Sequence, residues 1–109
     1  MAILTPQQIA LGGSELAFDP ADGAGDQFLN NGAMILVVAN ASGSDMVVSV
    51  DSQTPCSYGF DHDVADTIND GDTEYLGPFS TARFNDVDGY VNVTYDDSTD
   101  VTVAVLQIS

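Results

Sequence analysis

Short apolar segments separated by turn residues make up most of the chain, and two of them stand out. Residues 34–39 are apolar at every position, which is typical of a central strand covered on both faces. Residues 46–51 alternate instead, placing Met46, Val48 and Val50 on one face. The residues between the two segments are turn formers, so the pattern predicts an antiparallel hairpin.

The C-terminal half repeats this arrangement. Residues 64–68 and 73–76 flank the turn sequence Asn-Asp-Gly-Asp and predict a second hairpin. Residues 90–95 alternate strictly, as a half-buried strand does. Residues 101–108 begin amphipathic and end apolar on both faces, which predicts a deeply packed final strand.

The N-terminal part is less regular. Residues 1–13 predict an arm or an edge strand, because a proline such as Pro6 is tolerated at a sheet edge. Residues 15–18 predict a short strand and residues 19–25 a loop. Residues 52–63 show no sustained period and predict an irregular excursion.

Six to eight short strands without a helical period define the fold class. We predict an all-β protein: one small antiparallel β-sandwich or jelly-roll-like barrel spanning residues 1–109. Its expected buried frame consists of Phe79, Phe84, Val91, Val93 and Tyr95.

The charge balance changes this picture most. The chain has 17 acidic residues and a single basic one, Arg83, for a formal net charge of −16. Nucleic-acid mimicry, calcium binding and adaptation to molar salt all fit such a balance. We favour adaptation to salt, because the acids are scattered through turns and salt at about 1 M screens repulsion beyond about 3 Å. The interpretation predicts loss of structure at low salt.

The acidic turns are the first candidates for chemistry. Asp86 and Asp88 resemble part of a calcium loop, but Phe84 stands at the required first acidic position and no glutamate closes the loop. Asp70 and Asp72 are equally weak candidates. We therefore expect no metal or other cofactor, although a structural Ca²⁺ would fit these carboxylates best.

Other chemistry lacks the residues that it needs. His62 and Cys56 are too few for a zinc site, and no nucleophile motif or phosphate loop is present, so we expect no enzyme. The absence of a basic patch argues against nucleic-acid binding. No apolar run approaches the roughly 20 residues that span a membrane, and no signal peptide is recognisable, so we expect synthesis on the cytoplasmic side.

Arg83 has two interpretations. It forms a local ion pair, with Asp86 or Glu74 in reach, or it contacts an acidic neighbour, for which the guanidinium fork provides geometric specificity. Together with Arg83, the candidates for an intermolecular interface are Leu4, Ile9 and Tyr90.

The order of features in residues 74–108 resembles a known group of proteins. A strand ends in Gly-Pro-Phe at 77–79, an aromatic-Asn-Asp turn follows at 84–86, and then come Gly89, Val-x-Val-x-Tyr at 91–95 and a Thr/Val-rich last strand. This resembles small β-rich proteins encoded among the head genes of tailed bacteriophages. Looser similarities lie at residues 4–7, 25–32 and 38–43, whereas residues 80–81 and 52–63 depart from the pattern.

The resemblance implies a virion structural protein, either a capsid decoration or a vertex-type protein, assembled in the host cytoplasm. Its partners would be the major capsid protein or other virion proteins and further copies of itself. With the salt signature, the host would be a halophilic archaeon. The alternative is a carbohydrate- or surface-binding β-sandwich module, with stacking faces provided by Tyr58, Phe60, Tyr75 and Tyr90.

Overall fold

The computed structural model describes residues 2–8, 17–52 and 64–107, and within these ranges it contains ten strands and one helical turn. The all-β class is confirmed, and the strand number exceeds the expected six to eight because the N-terminal part adds three very short strands. The elements are β1 (Ala2–Ile3), β2 (Pro6–Gln8), β3 (Asp19–Pro20), β4 (Asp26–Leu29), β5 (Met34–Asn40), β6 (Met46–Val50), β7 (Val64–Ile68), β8 (Thr73–Leu76), α1 (Thr81–Phe84), β9 (Tyr90–Tyr95) and β10 (Val101–Gln107).

Two sheets pack face to face as a sandwich. Sheet A has the strand order β1-β4-β9-β6-β7, and sheet B the order β2-β10-β5-β8, with β3 also paired to β10. The pairs are antiparallel except for β1 with β4 and β2 with β10. Side chains at alternate positions of both sheets fill the space between them, as in other sandwiches.

Both predicted hairpins are wrong. The β5 strand pairs with β8 and β10 in sheet B, whereas β6 pairs with β7 and β9 in sheet A. Likewise β7 lies in sheet A and β8 in sheet B. The turn residues between these strands do reverse the chain, but each turn carries it across the sandwich to the opposite sheet. A turn sequence marks where a strand ends and does not determine which strand becomes its neighbour.

Asn40 joins these two crossings at one end of the sandwich. Its side-chain amide donates hydrogen bonds of 2.8 Å each to the carbonyl oxygens of Ser44 and Ile68, and its oxygen accepts one of 3.0 Å from the Ser42 backbone. Its backbone carbonyl accepts a further bond from Gly71. Since Asn40 is buried, these bonds satisfy polar groups that would otherwise cost stability.

The N-terminal arm adds one strand to each sheet. Short β1 lies beside β4 in sheet A, and after two residues β2 lies beside β10 in sheet B. The chain thereby crosses from one sheet to the other and closes this side of the sandwich. The predicted loop at 19–25 begins with β3, which covers the other half of the β10 edge. Of the predicted strand at 15–18, only 17–18 are described, and they are not in a strand.

The predicted frame is present in the core. Phe79, Phe84, Val91 and Val93 are buried, and Tyr95 packs partly exposed against the same cluster. The Phe79 ring meets the Phe84 ring edge-on at 5.3 Å between centroids, and it lies 5.8 Å from Phe28, which belongs to sheet A. Such aromatic pairs add to the free energy of area burial, so the segment after β8 is anchored to both sheets.

Candidate functional site

A cleft of about 420 Å³ opens on the side of the sandwich opposite the N-terminal arm. It lies between the edge strands β7 and β8 and the α1 turn. Most of its lining residues have apolar side chains, polar and apolar atoms contribute about equally to the lining surface, and the two charged side chains are those of Asp66 and Arg83. The apolar side chains in the lining are those of Val64, Ala65, Leu76, Pro78, Phe79 and Phe84. The cleft therefore combines apolar side chains with the single cationic side chain of the whole chain.

Gly77 shapes the wall of the cleft where β8 ends. Its φ of 119° lies in a region that residues with a side chain rarely adopt, and a Cβ placed on it would approach the Met34 carbonyl oxygen to 2.7 Å. The Phe79 ring lies 3.1 Å from the same point. Glycine is thus required here, because it lets β8 turn sharply while Phe79 packs below.

Two carboxyl groups face each other across the gap between the sheets. Asp66 and Glu74 stand at inward-facing positions of β7 and β8, opposite Val48 and Val38 in their own sheets. A hydrogen bond that the protonated Glu74 carboxyl donates to Asp66, desolvation, and repulsion from Asp66 and Asp72 raise the pKa of Glu74. A bond between two carboxyl groups needs a proton, so neutral pH weakens this link between the sheets. The sequence carried a signal for this pair, because both acids occupy positions that otherwise face the core.

Arg83 lies in α1 at the mouth of the cleft. Its guanidinium carbon is 4.7 Å from the centroid of the Phe84 ring, a distance typical of a cation–π contact. The expected ion pair with Asp86 or Glu74 stays a prediction, and the Asp86 carboxylate accepts three hydrogen bonds from other groups. The side chain of Arg83 is exposed, so it is accessible to another molecule.

Asp86 holds a turn rather than presenting a free carboxylate. One of its side-chain oxygens accepts hydrogen bonds from the backbone N–H groups of Asp88 and Tyr90, at 2.9 and 3.0 Å. The other oxygen accepts one from the Asn92 amide at 3.0 Å. The bond from Asn92 first, and then those from the backbone, lower the pKa of Asp86. Asp88 itself is exposed.

The remaining metal candidates also lie in turns. Asp70 accepts a hydrogen bond of 3.0 Å from the Gly43 backbone, and Asp72 is exposed in the same turn. In the ranges 2–8, 17–52 and 64–107, no three His, Cys, Asp or Glu side chains are grouped so as to hold a metal ion. His62 and Cys56 lie outside the described residues, so the expectation about zinc stays a prediction.

The other interface candidates are placed differently from one another. Leu4 is only 4% exposed and belongs to the core cluster, so it anchors the arm in its own chain and is not available to a partner. Tyr90 is half-buried on the outer face of sheet A, opposite Leu29. Ile9 lies outside the described residues.

A buried carboxylate near the arm escaped the sequence analysis. Asp26 is inaccessible to solvent, and one of its oxygens accepts hydrogen bonds from the Tyr95 hydroxyl at 2.7 Å and the Asp22 backbone at 3.2 Å. Burial and the bond to Asp26 raise the pKa of Tyr95 far above its usual value. The only sequence signal is position, since Asp26 precedes the core residue Phe28 by two residues in the same strand.

The aromatic side chains proposed for carbohydrate stacking do not form one platform. Tyr75 is 67% exposed on the outer face of sheet B, whereas Tyr90 lies on the outer face of sheet A. Tyr58 and Phe60 lie outside the described residues. In the described part of the chain, no helix is long and apolar enough to cross a bilayer. No protein-family model, curated protein or solved structure matches the chain.

Proposed function

We propose that this chain is a non-enzymatic virion structural protein of a tailed virus that infects a halophilic archaeon. It decorates or completes the capsid by symmetric oligomeric assembly, with the major capsid protein or other virion proteins as partners. The observation that supports this proposal is the cleft lined by apolar side chains and by Arg83, together with a hydrogen-bonded turn that exposes Val87 completely. These features serve binding between surfaces.

The size of the sandwich suits such a role. Its extents are 37 × 35 × 20 Å, so a contact of about 800 Å² per partner would take up only one face. A capsid offers many identical positions, and symmetric copies reinforce one another because each additional contact becomes intramolecular. Modest individual contacts are therefore enough for a stable coat.

The distribution of acids supports the assignment of a saline host. Among the described residues, most aspartates lie in exposed turns rather than strands, including Asp45, Asp70, Asp88, Asp96 and Asp100. At low salt these charges repel one another, whereas about 3 M NaCl screens them within a few ångströms. Circular dichroism during dialysis from about 3 M to about 0.05 M NaCl should show loss of structure. Equal stability at both concentrations would remove the halophilic part of the proposal.

Particle composition tests the proposed function directly. Purified virus particles should contain the protein at a stoichiometric copy number, and electron cryomicroscopy should show the sandwich at symmetric positions on the head. Absence from intact particles would exclude a structural role. Glycan-array binding together with that absence would favour the carbohydrate-binding module, for which the opposed positions of Tyr75 and Tyr90 offer little support.

A further inference from the structure

One exposed apolar side chain stands at the same end of the sandwich as the cleft. Val87 has a relative exposure of 101%, the largest among the exposed apolar residues of the described ranges. It lies in the turn before β9, beyond the end of β4, and the cleft is bounded by the start of β7 and the end of β8. Since Val87 is fully exposed, it does not fill the cleft of its own chain.

The turn that carries Val87 is held in a fixed shape. The three hydrogen bonds to the Asp86 carboxylate close it, and the Asp86 backbone N–H donates to the Tyr90 carbonyl at 2.8 Å. Gly89 completes the turn with a φ of 87°. A preorganised turn loses little conformational entropy when it docks, which favours its use as a contact.

We propose that Val87 and Asp88 of one copy dock into the cleft of a second copy, with Val87 against the apolar lining and Asp88 against Arg83. Asp88 is exposed and is opposite in charge to Arg83, the only basic residue in the chain. Because Asp66 is also in the cleft lining, the incoming carboxylate meets a complementary charge only at Arg83. A guanidinium carries five N–H donors, so it binds an incoming carboxylate in addition to the groups that it already contacts. The cleft volume of about 420 Å³ accommodates more than a valine side chain.

The arrangement favours a two-fold pair. The Val87 turn and the cleft lie at one end of the same chain, so a two-fold axis near that end lets each copy give one turn and receive the other. This inference deepens the proposed assembly function, since it names the partner as another copy of the chain. It is nevertheless tested in solution, separately from the particle.

Salt should strengthen the contact. Two molecules of net charge −16 repel each other at long range, and screening weakens that repulsion more than the local pair of Arg83 with Asp88. Analytical ultracentrifugation should therefore show a dimer whose dissociation constant falls as NaCl rises to about 3 M. The series is restricted to salt concentrations at which circular dichroism shows folded protein.

Substitutions identify the surface. Val87→Asp should raise the dissociation constant at least about tenfold, since it places a negative charge against the apolar side chains of the cleft and near Asp66. Ile3→Ser is the matched control, because Ile3 is 61% exposed on β1, at the edge of sheet A farthest from β7. It should leave the dissociation constant unchanged.

A charge exchange tests the ion pair. Arg83→Asp and Asp88→Arg should each weaken the dimer, and the double variant should regain affinity, because the pair is restored with its charges reversed. Melting curves of all variants verify folding, and Val87→Asp remains informative if Arg83→Asp fails to fold. A monomer at every salt concentration, or a dimer insensitive to both Val87→Asp and the charge exchange, would overturn the inference. If the protein is a monomer in solution but is present in virus particles at a stoichiometric copy number, this inference fails and the proposed function stands.

Discussion

The two sides of the sandwich are closed in different ways. On one side the N-terminal arm bridges the sheets, with Leu4 in the core and Asp26 bonded to Tyr95 close by. On the other side β7 and β8 leave a cleft, and the carboxyl groups of Asp66 and Glu74 meet there between the sheets.

This difference separates stability from binding within one small domain. The arm side buries apolar surface and satisfies backbone groups, so it stabilises the fold. The cleft side keeps apolar surface and Arg83 accessible, and its carboxyl pair is a poor link at neutral pH. We therefore expect the largest change in the free energy of unfolding from a substitution of a buried residue in the arm itself, and smaller changes from substitutions at the cleft.

Leu4 provides the strongest test of the closed side. Leu4→Ala should lower the free energy of unfolding by about 3 kcal/mol, because it removes buried methyl groups and leaves a cavity. The neighbouring Ile3→Ala is the control and should change it by less than about 0.5 kcal/mol, since Ile3 is largely exposed. Thermal or denaturant unfolding in high salt measures both. Equal effects would mean that the arm does not contribute to the cooperative core.

Gly77 tests how firmly the wall of the open side is held. Gly77→Ala should cost about 2 kcal/mol, because it combines an unfavourable φ with an approach of 2.7 Å to the Met34 carbonyl oxygen. Gly43→Ala is the matched control: its φ is also positive, at 90°, but a Cβ there has no neighbour within 4 Å. The difference between the two melting temperatures isolates the steric contact. If the two variants have the same melting temperature, the backbone around Gly77 shifts to accommodate the added Cβ without loss of stability.

Tyr95 tests the polar contact near the arm. Tyr95→Phe should cost about 1–2 kcal/mol, because Asp26 loses the hydroxyl donor while its carboxylate stays buried. Tyr75→Phe removes the same atom from a side chain that is 67% exposed and should have almost no effect on unfolding. If Tyr95→Phe leaves the free energy of unfolding unchanged, Asp26 is stabilised by other hydrogen-bond donors.

The part of the fold that sequence predicts well is the local part. The alternation of β9 and the burial of Phe79 and Phe84 follow from period-two patterning and aromatic size, which involve only neighbouring residues. Strand pairing does not follow, because β5 and β6 are joined by a turn that is equally compatible with a hairpin and with a crossing. Asn40 determines the geometry of that turn through contacts with Ile68, which is 28 residues away.

The cleft illustrates the same limit. Arg83 attracts notice in the sequence as the only cation, but its position against Phe84 and between β7 and β8 depends on how the sheets meet. Asp66 and Glu74 share the inward parity of their strands, so the sequence shows two anomalous acids without showing that they face each other. Leu4 shows the reverse case: it looks like an exposed arm residue and is buried once the arm bridges the sheets.

The smallest expected change in stability is that of Glu74→Gln, and it is an increase, whereas the other substitutions decrease stability. Because the folded pKa of Glu74 is raised above its ordinary value of 4.5, its contribution to stability is fully present below that value and is lost as the pH rises through the raised pKa. Glu74→Gln removes the charge that repels Asp66 and retains a donor for it. The variant should therefore melt slightly higher than the parent at neutral pH, and the gain should shrink as the pH falls.

Asp86 and Asp45 serve as comparisons that distinguish the contribution of the Glu74–Asp66 pair from the effect of lowering the net charge. The lowered pKa of Asp86 gives stability that is present above its ordinary value and is lost only at lower pH, so its titration lies on the acid side of that of Glu74. Asp45→Asn removes an exposed charge in a turn between the sheets and reports the gain from reduced net charge alone. A Glu74→Gln gain no larger than that of Asp45→Asn, or one independent of pH, would mean that the charges of Asp66 and Glu74 do not weaken the contact between the sheets at neutral pH.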